Sequence, residues 1–310
     1  MQPSIIAHRG ASAYLPEHTF AAKALAHEMG ADYLEQDVVA TRDDELVVLH
    51  DIYLDRVTNV ASRFAERARD DGRYYVRDFD LEELRSLSVW ERMNPDGTAV
   101  YPDRYPIRSG DFGISTFTEE LEFIQKLNSD AGRRVGIYPE IKRPAWHREE
   151  GVDITPIFLK VIMDNGYNKS DDPVYVQCFD FAALHRLKAE LDCPFKLVQL
   201  IGENSWGEAG TDFDILRSVA GIAELANTVD AIGPWIPHLY ELDRDVPRPN
   251  DLIRHAHAAG LAVHPYTFRA DELPPGFSSF EDLIRFFIVE VGIDGLFTDF
   301  PDRVAQLRRP

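Results

Sequence analysis

The sequence of 310 residues predicts an α/β fold, a TIM (β/α)8 barrel, from three observations. Apolar runs typical of strands alternate with helical patterns, which favours a mostly parallel sheet with crossover helices. The length suits an α/β barrel built as one domain. Polar clusters stand at the ends of several apolar runs, and in parallel α/β folds such positions line a binding crevice.

The apolar runs can be placed along the chain and counted. Nine of them have strand character, near residues 4–8, 33–39, 46–50, 135–140, 174–179, 195–201, 230–234, 261–267 and 295–299. Only about seven residues separate 33–39 from 46–50, whereas a crossover between parallel strands needs a dozen or more. These two runs must therefore form an antiparallel hairpin, and without 46–50 the count is the eight strands that a barrel requires.

The predicted hairpin brings together residues of the future site. With Asp43-Asp44 as its turn, Asp37 lies opposite His50 in the antiparallel pairing. Glu35 lies two residues before Asp37 and shares its face, because side chains of a strand alternate between the two faces. The hairpin is thus expected to deliver His50 to a pair of carboxylates.

Helical patterns occupy intervals between the strands. They lie at 19–29 before Gly30, at 116–127 with a capping pattern, and at 280–291 before Gly292. Residues 52–115 break this rhythm, because they are rich in Arg, Asp, Tyr and Pro and contain one helical stretch near 80–91. We interpret 52–115 as an insertion that caps the mouth of the barrel within a single domain spanning 1–310.

The charge balance excludes some classes of partner. The chain carries 33 basic and 53 acidic residues, a formal net charge of −20. Such a surface repels nucleic acid and anionic lipid, so neither is an expected partner, and an anionic substrate would need local cations in the site. No run reaches the ~18–20 apolar residues of a membrane span. The N-terminus lacks the basic region of a signal peptide, so we expect a cytoplasmic protein, or a periplasmic one if a leader was removed.

Carboxylates gather at the ends of two strand-like runs. Glu35 and Asp37 close one of these runs, and Glu140 closes another. Carboxylate oxygens are hard ligands, which favour Ca²⁺ or Mg²⁺ over zinc with its preference for His and Cys. One carboxylate at such a position is often merely solvated, but three that converge with two histidines indicate a site for a divalent cation.

Two imidazoles and two cationic groups complete the predicted site. His8 and His50 are candidates for general acid and base, because imidazole titrates near neutrality. Arg9 and Lys142 could hold a phosphate, the first through its planar fork and the second as a point charge. Glu17 could cap the first helix, fix Arg9 or hold a metal-bound water. This set of groups suits metal-assisted cleavage of a phosphate ester.

Seven short motifs follow one another along nearly the whole chain. They are His8-Arg9-Gly10, Pro16-Glu17-His18-Thr19, Glu35-Gln36-Asp37, Val47-Val48-Leu49-His50-Asp51, Pro139-Glu140-Ile141-Lys142, Gln177-Cys178-Phe179 and Phe297-Thr298-Asp299-Phe300-Pro301. In this order they resemble the glycerophosphodiester phosphodiesterase family, and the set is far more specific than any one motif. The insertion, with Asp70-Asp71-Gly72-Arg73-Tyr74-Tyr75, looks most like the bacterial periplasmic type.

The resemblance implies a reaction and roles for the strand-end residues. It implies a TIM barrel that hydrolyses glycerophosphodiesters, which are small molecules, to sn-glycerol 3-phosphate and an alcohol. It also implies a divalent cation on Glu35, Asp37 and Glu140. His8 and His50 would then be the acid–base pair. We predict that His50 deprotonates the nucleophile, either water or the 2-hydroxyl of the glycerol, and that His8 protonates the departing oxygen.

The glycerol is expected to pack against aromatic side chains at other strand ends. Phe179 is the best candidate, and Trp235, Tyr266 and Phe297 are further ones. A lysophospholipase D on the same scaffold is an alternative, but it needs an apolar surface for an acyl chain, and the charged insertion argues against one. A binding or surface-interaction protein is a second alternative. Such a protein could lose a ligand or a histidine, whereas all are present here.

Overall fold

Eight parallel strands form the wall of a barrel in the computed structural model, which describes residues 2–308. The strands of this part of the chain are β1 (Ser4–Ala7), β2 (Tyr33–Ala40), β3 (Leu46–Val48), β4 (Gly136–Ile141), β5 (Tyr175–Cys178), β6 (Lys196–Ile201), β7 (Ala231–Pro234), β8 (Tyr240–Asp243), β9 (Val246–Pro249), β10 (Ala262–Val263) and β11 (Gly295–Thr298). The wall has the order β10, β7, β6, β5, β4, β2, β1, β11. Its ends meet where the Asp294 N–H donates to the Val263 carbonyl over 3.0 Å, so the barrel is nearly closed. The predicted TIM barrel is confirmed.

α-Helices connect strands and cover the outside of the barrel, except for two short ones in the segment 52–115. Between residues 2 and 308 they are α1 (Phe20–Glu28), α2 (Val60–Arg63), α3 (Leu81–Arg85), α4 (Phe117–Ala131), α5 (Pro144–Glu149), α6 (Ile154–Asp164), α7 (Phe181–Ala189), α8 (Phe213–Leu216), α9 (Val219–Leu225), α10 (Leu252–Ala258), α11 (Phe280–Arg285) and α12 (Pro301–Leu307). A π-helical segment, Phe286–Val291, continues α11. None of the helices in the described part of the chain has both the length and the apolar character needed to cross a bilayer.

Helix α4 shows how the sequence builds this outer layer. At its start the Thr116 side chain accepts the Glu119 N–H over 3.1 Å, and the Glu119 carboxylate accepts the Thr116 N–H over 2.8 Å, which forms a capping box. Phe117, Leu121 and Ile124 recur at helical spacing and are fully buried in the layer between helices and strands. Burial of this kind contributes roughly 1.5–3 kcal/mol for each large apolar side chain.

A smaller core fills the inside of the barrel beneath the strand ends. It contains Ile6, Tyr138, Val198, Ala231 and Phe297, all buried. The rings of Tyr138 and Phe297 meet edge to face with their centroids 5.0 Å apart. This packed interior gives the polar side chains at the carboxyl ends of the strands a rigid floor.

Strands β2 and β3 form the predicted hairpin, but the predicted register is wrong by one residue. The Leu49 N–H donates to the Asp37 carbonyl over 2.9 Å, so Leu49 rather than His50 lies opposite Asp37. The turn contains the three residues 42–44, with Asp44 in the left-handed conformation at φ 62°, whereas the prediction assumed two. His50 follows the end of β3 and is therefore free of the ladder.

The segment 52–115 contributes no strand to the barrel. It contains α2 and α3 and has an apolar core of its own, packed on Val39 and Val47 of the hairpin. That core includes Ile52, Leu54, Val57, Val60, Val76, Phe79, Leu84 and Val89. We call 52–115 the insertion. Its interpretation as a cap within a single domain stays a prediction.

A second hairpin, of β8 and β9, was not predicted. Its turn consists of Arg244 and Asp245, both at positive φ (51° and 67°), as in the two-residue turns that suit a hairpin's twist. Pro247 and Pro249 interrupt the strand pattern of β9, since proline cannot donate to a ladder. Leu242 of this hairpin reaches the cavity described below.

Candidate active site

A cavity of about 750 Å³ lies at the carboxyl ends of the barrel strands. Its wall includes most of the residues proposed for the site: His8, Arg9, Glu35, Asp37, His50, Glu140, Lys142, Phe179, Trp235, Tyr266 and Phe297. They come from most of the strands of the barrel and from the hairpin. The fold therefore brings together groups that are up to 289 positions apart in sequence, from His8 to Phe297.

Sheet register brings the three carboxylates together. Asp37 on β2 is the direct partner of Glu140 on the neighbouring strand β4. Glu35 lies two residues before Asp37, so its side chain points to the same face. Ligand oxygens of the three side chains lie within 4.8 Å of one another, and all three side chains are buried. The cluster has the spacing of a site for one cation.

The Glu35 carboxylate is held at both oxygens. Its Oε2 accepts the backbone N–H of Arg9 over 2.7 Å, and its Oε1 accepts a hydrogen bond from Gln177 Nε2 over 2.9 Å. Arg9 adopts a left-handed backbone conformation with φ 60°. That conformation costs a residue with a side chain roughly 1–2 kcal/mol. The strain is offset by a hydrogen bond that fixes a predicted metal ligand.

Asp37 is hydrogen-bonded to a buried chain of polar groups. Its Oδ2 lies 2.7 Å from His18 Nε2, and His18 Nδ1 lies 3.5 Å from the Lys23 ammonium. Lys23 is fully buried and also donates to the Glu120 carboxylate and to the Glu35 backbone carbonyl. Because an ammonium group only donates, Nδ1 of His18 must accept, so Nε2 carries the hydrogen and donates to Asp37.

The other Asp37 oxygen is free for a ligand. Oδ1 is buried and has no hydrogen-bond partner among the described residues, and Lys142 Nζ is 3.9 Å away. An unpartnered buried carboxylate oxygen is costly unless a cation or a donor reaches it. The donor set is three hard carboxylates, the type that Ca²⁺ and Mg²⁺ prefer. The residues present therefore fit a divalent cation.

Without a cation, burial and mutual repulsion oppose the simultaneous ionisation of all three carboxylates. Burial raises the pKa of Glu35 to about 8, and the nearby Asp37 charge adds to this effect. Burial also raises the pKa of Glu140 well above its usual range, although Lys142 opposes the shift. Burial alone would raise the pKa of Asp37 as well, but Lys142 holds it well below its usual value. The cluster thus keeps protons that a cation would replace.

His8 is paired with an aspartate from the last strand. Its Nδ1 lies 2.6 Å from Asp299 Oδ1, and its Nε2 lies 3.9 Å from Glu35 Oε2. Burial lowers the pKa of His8 to about 4, with a further contribution from Arg9. Burial would raise the pKa of Asp299, but Arg269 and His8 hold it well below its usual value. The ionised Asp299 therefore accepts Nδ1–H and leaves Nε2 as the reactive nitrogen.

His50 has a matching arrangement with an aspartate of its own. Its Nδ1 lies 2.7 Å from Asp51 Oδ1. Burial lowers the pKa of His50 to about 3, and the charges of Arg9 and Lys142 lower it further. Both imidazoles are therefore neutral near pH 7 when only protein groups surround them. A buried anion beside Arg9 would raise both pKa values, because it favours the imidazolium form.

Comparison with known proteins identifies the family to which this site belongs. The model of the glycerophosphoryl diester phosphodiesterase family matches residues 8–303. The chain belongs to this family. The predicted family and enzyme class are confirmed. Among the relatives of this phosphodiesterase, the glycerophosphodiester phosphodiesterase of Haemophilus influenzae is 42% identical, over 96% of this chain and 87% of the relative. That of Treponema pallidum is 36% identical, over 96% and 89%.

Solved structures share the fold of this phosphodiesterase. An Oleispira antarctica phosphodiesterase in complex with the product sn-glycerol-3-phosphate is 21% identical with a TM-score of 0.67, over 99% of this chain and 96% of that one. A Thermotoga maritima glycerophosphodiester phosphodiesterase is 19% identical with a TM-score of 0.60, over 99% of both chains. At these identities the likeness concerns the barrel.

Glu17 of the phosphodiesterase lies behind Arg9 and does not cap the first helix. Its Oε2 accepts from Arg9 Nη1 over 2.8 Å, and both of its oxygens accept from Arg92. The cap of α1 is Thr19, whose hydroxyl accepts the Ala22 N–H over 3.2 Å. Of the three roles considered for Glu17, the geometry favours fixing Arg9.

Much of the lining of the phosphodiesterase cavity is apolar or aromatic, and we call this part the apolar lining. It consists of Leu200, Trp206, Trp235, Ile236, Pro237, Tyr240, Leu242, Leu273, Pro274 and Pro275. Phe179 also lines the cavity, and its ring centroid is 5.8 Å from Lys142 Nζ. We expected from the sequence that the charged insertion would argue against an apolar surface at the mouth, but the cavity has one.

Several polar residues around the phosphodiesterase site were not predicted as functional. Asp51 and Asp299 fall within motifs, each close to a strand end, and that position was a usable signal. His18 also lies in a motif, next to Glu17. Two of the arginines that bind these aspartates, Arg92 and Arg104, come from irregular parts of the insertion. No local pattern in the sequence distinguishes them from the other arginines of the insertion.

Proposed function

We propose that the protein hydrolyses glycerophosphodiesters to sn-glycerol 3-phosphate and an alcohol. The observation that carries this proposal is the convergence of two aspartate-paired imidazoles on a buried cluster of three carboxylates in one cavity. Family membership supports it, and so does the related fold of the Oleispira antarctica enzyme in complex with sn-glycerol-3-phosphate. Water adds to phosphorus, the bond to the alcohol oxygen breaks, and that oxygen takes up a proton.

Glu35, Asp37 and Glu140 would hold one Ca²⁺ or Mg²⁺ ion. Their spacing within 4.8 Å and the unpartnered Asp37 Oδ1 support this assignment. When bound, the cation would supply a Lewis acid that polarises the phosphoryl oxygens. The protein contributes the fixed orientation of the ligands, through Gln177 on Glu35 and His18 on Asp37.

His50 would act as the base and His8 as the acid. A neutral His50 can accept the proton of the nucleophile at once, whether that is water or the glycerol 2-hydroxyl. If the 2-hydroxyl attacks, a cyclic phosphate forms first, and water opens it in a second step. His8 must gain a proton before it can protonate the departing oxygen. The negative charge of the bound diester favours that protonation.

Cationic groups would bind the phosphate of the substrate, and aromatic groups would contact its glycerol. Arg9 and Lys142 line the cavity and would neutralise charge on the phosphate. The glycerol would pack against Phe179, which lies beside Lys142. Trp235, Tyr266 and Phe297 line the same cavity and extend this aromatic surface. The alcohol on the other side of the phosphate would point towards the mouth.

Turnover of glycerophosphocholine tests the proposal. The protein is assayed with added Ca²⁺ or Mg²⁺ and after exhaustive chelation, and released sn-glycerol 3-phosphate is quantified with a specific dehydrogenase. We expect product only in the presence of a divalent cation. Absence of turnover with every cation tested would contradict the proposed activity, whereas turnover after chelation would contradict the assigned role of the carboxylates.

The apolar lining favours a lysophospholipase D as a second candidate function. Such an enzyme must accommodate an acyl chain, and the apolar lining is part of the same cavity as the catalytic groups. Parallel assays of glycerophosphocholine and 1-acyl lysophosphatidylcholine distinguish the two. A higher kcat/KM for the lysophospholipid would make the second candidate the better description.

A further inference from the structure

We propose that the insertion supplies one positioning residue to each of the two catalytic pairs, Arg104 to the His8–Asp299 pair and Arg92 to the His50–Asp51 pair. This inference rests on the proposed acid–base roles of the two histidines. Both arginines belong to the insertion, whereas all four residues of the pairs lie outside it, each shortly after a strand. The insertion would then take part in catalysis.

The two carboxylate oxygens of Asp299 have different hydrogen-bond partners, His8 on one and two arginines on the other. Oδ1 of Asp299 is 2.6 Å from His8 Nδ1, while Oδ2 accepts from Arg104 Nη2 over 2.7 Å and from Arg269 Nε over 2.8 Å. Arg104 is fixed at its other edge by two hydrogen bonds to Asp271, of 2.7 and 3.0 Å. The carboxylate therefore cannot rotate without breaking bonds to both arginines.

The Arg92 contact repeats this division on the other pair. Oδ1 of Asp51 is 2.7 Å from His50 Nδ1, and Oδ2 accepts from Arg92 Nη1 over 2.7 Å. The remaining edge of the Arg92 guanidinium donates to both oxygens of Glu17, over 2.9 and 2.6 Å. Since Glu17 also holds Arg9, Arg92 links the base to the predicted phosphate anchor.

Burial makes these contacts strong enough to position a side chain. The side chains of Arg104 and Arg92 are only 6% and 10% exposed. Charge-assisted hydrogen bonds in such surroundings are short and directional, and removal of one partner leaves a buried charge unpaired. An aspartate that is held ionised and in place keeps its imidazole in the Nδ1–H tautomer with Nε2 towards the cavity. Each arginine would act on the reaction through its aspartate.

Two double-mutant cycles test this inference, with kcat for glycerophosphocholine measured at saturating Ca²⁺ and substrate. The first combines Arg104→Ala with Asp299→Asn, and the second combines Arg92→Ala with Asp51→Asn. We expect each arginine variant to lose about 10–100-fold in kcat, the usual effect of removing a group that orients a catalytic one. Within each cycle the arginine change should add little once the aspartate is changed, because the arginine acts through it.

Crossed pairs separate positioning from a general loss of structure. Arg104→Ala with Asp51→Asn should show multiplied losses, since Arg104 does not contact Asp51. Arg73→Ala is the matched control: Arg73 is in the insertion and donates to Asp55 over 2.6 Å, but Asp55 bonds to neither histidine. Its kcat should stay within about twofold of wild type, as expected for a partly exposed pair. Arg104→Ala should change KM much less than kcat, whereas Arg92→Ala should raise KM too, through Glu17 and Arg9.

The outcomes decide between distinct explanations. A kcat for Arg104→Ala and Arg92→Ala equal to wild type would overturn the inference, and so would losses that multiply within the matched cycles. If an alanine variant fails to fold, the corresponding lysine variant is used, because Lys keeps the charge but lacks the planar fork with which Arg holds two carboxylates in fixed positions. Full activity of the lysine variants would also overturn the inference. A wild-type protein without turnover would instead contradict the proposed function.

Discussion

His18 donates to Asp37 from a tautomer that Lys23 selects. Nε2 of His18 is 2.7 Å from Asp37 Oδ2, and Nδ1 faces the Lys23 ammonium at 3.5 Å. This contact occupies one oxygen of Asp37 and leaves the other free for a cation. We expect His18→Ala to weaken Ca²⁺ or Mg²⁺ binding by about 10–100-fold. Calorimetric titration checks this, with the exposed His185→Ala as control; equal affinities of the two variants would contradict it.

Each of the three carboxylates should be needed for cation binding. Glu35→Gln, Asp37→Asn and Glu140→Gln remove a charge without changing the size of the side chain, so hydrolysis should fall because the cation binds weakly. EDTA should abolish hydrolysis by the wild type, and added Ca²⁺ or Mg²⁺ should restore it. Activity that survives exhaustive chelation would show that the assignment of the three carboxylates is wrong.

The two histidines should be needed for the chemical step and not for folding. His8→Ala and His50→Ala should each lower kcat by about 10²–10⁴-fold, the usual contribution of a positioned acid or base. Circular dichroism should remain like that of the wild type, since strand-end side chains contribute little to the core. A variant with nearly wild-type kcat would remove that histidine from the mechanism.

Cation binding should release protons from the carboxylate cluster. Burial and the Asp37 charge raise the pKa of Glu35 to about 8, whereas the pKa of a Glu in an unfolded chain is about 4.3. Between these values the folded protein binds more protons than the unfolded chain, so this group makes the cation-free protein less stable as pH rises. The rise in Tm on addition of Ca²⁺ should be larger near pH 8 than near pH 6. A rise independent of pH would contradict this, and calorimetry in two buffers counts the protons.

Substrate preference should be narrow for glycerol and broad for the alcohol. Glycerophosphocholine, glycerophosphoethanolamine and glycerophosphoglycerol should differ in kcat/KM by no more than the ~1–3 kcal/mol of small pocket differences. Bis(p-nitrophenyl) phosphate, which lacks glycerol, should be much poorer. Phe179→Ala should raise KM for the glycerol diesters and reduce the difference in kcat/KM between them and the aryl diester. Equal cleavage of the aryl diester and glycerophosphocholine would favour a general phosphodiesterase.

The barrel and the residues lining its cavity follow from local patterns, but the contacts that organise the site do not. Apolar runs with polar ends identified β2 and β4, and hence Glu35 and Glu140, because strand-end position is a property of the sequence itself. The hairpin register depended on Asp44 adopting a left-handed conformation, which composition does not determine. Arg104 meets Asp299 across 195 positions of sequence, in a loop without periodicity, so only the folded chain reveals the pair.

The net charge of −20 acts differently on the two ends of the proposed reaction. Glycerophosphocholine is a zwitterion, so a distant anionic field changes its approach very little. sn-Glycerol 3-phosphate carries close to two negative charges at neutral pH, as phosphate monoesters do. Once it leaves Arg9 and Lys142, the acidic exterior repels it over a Debye length of about 8 Å at physiological ionic strength. The surface charge would thus have little effect on binding of the zwitterionic substrate, but it would oppose rebinding of the dianionic product.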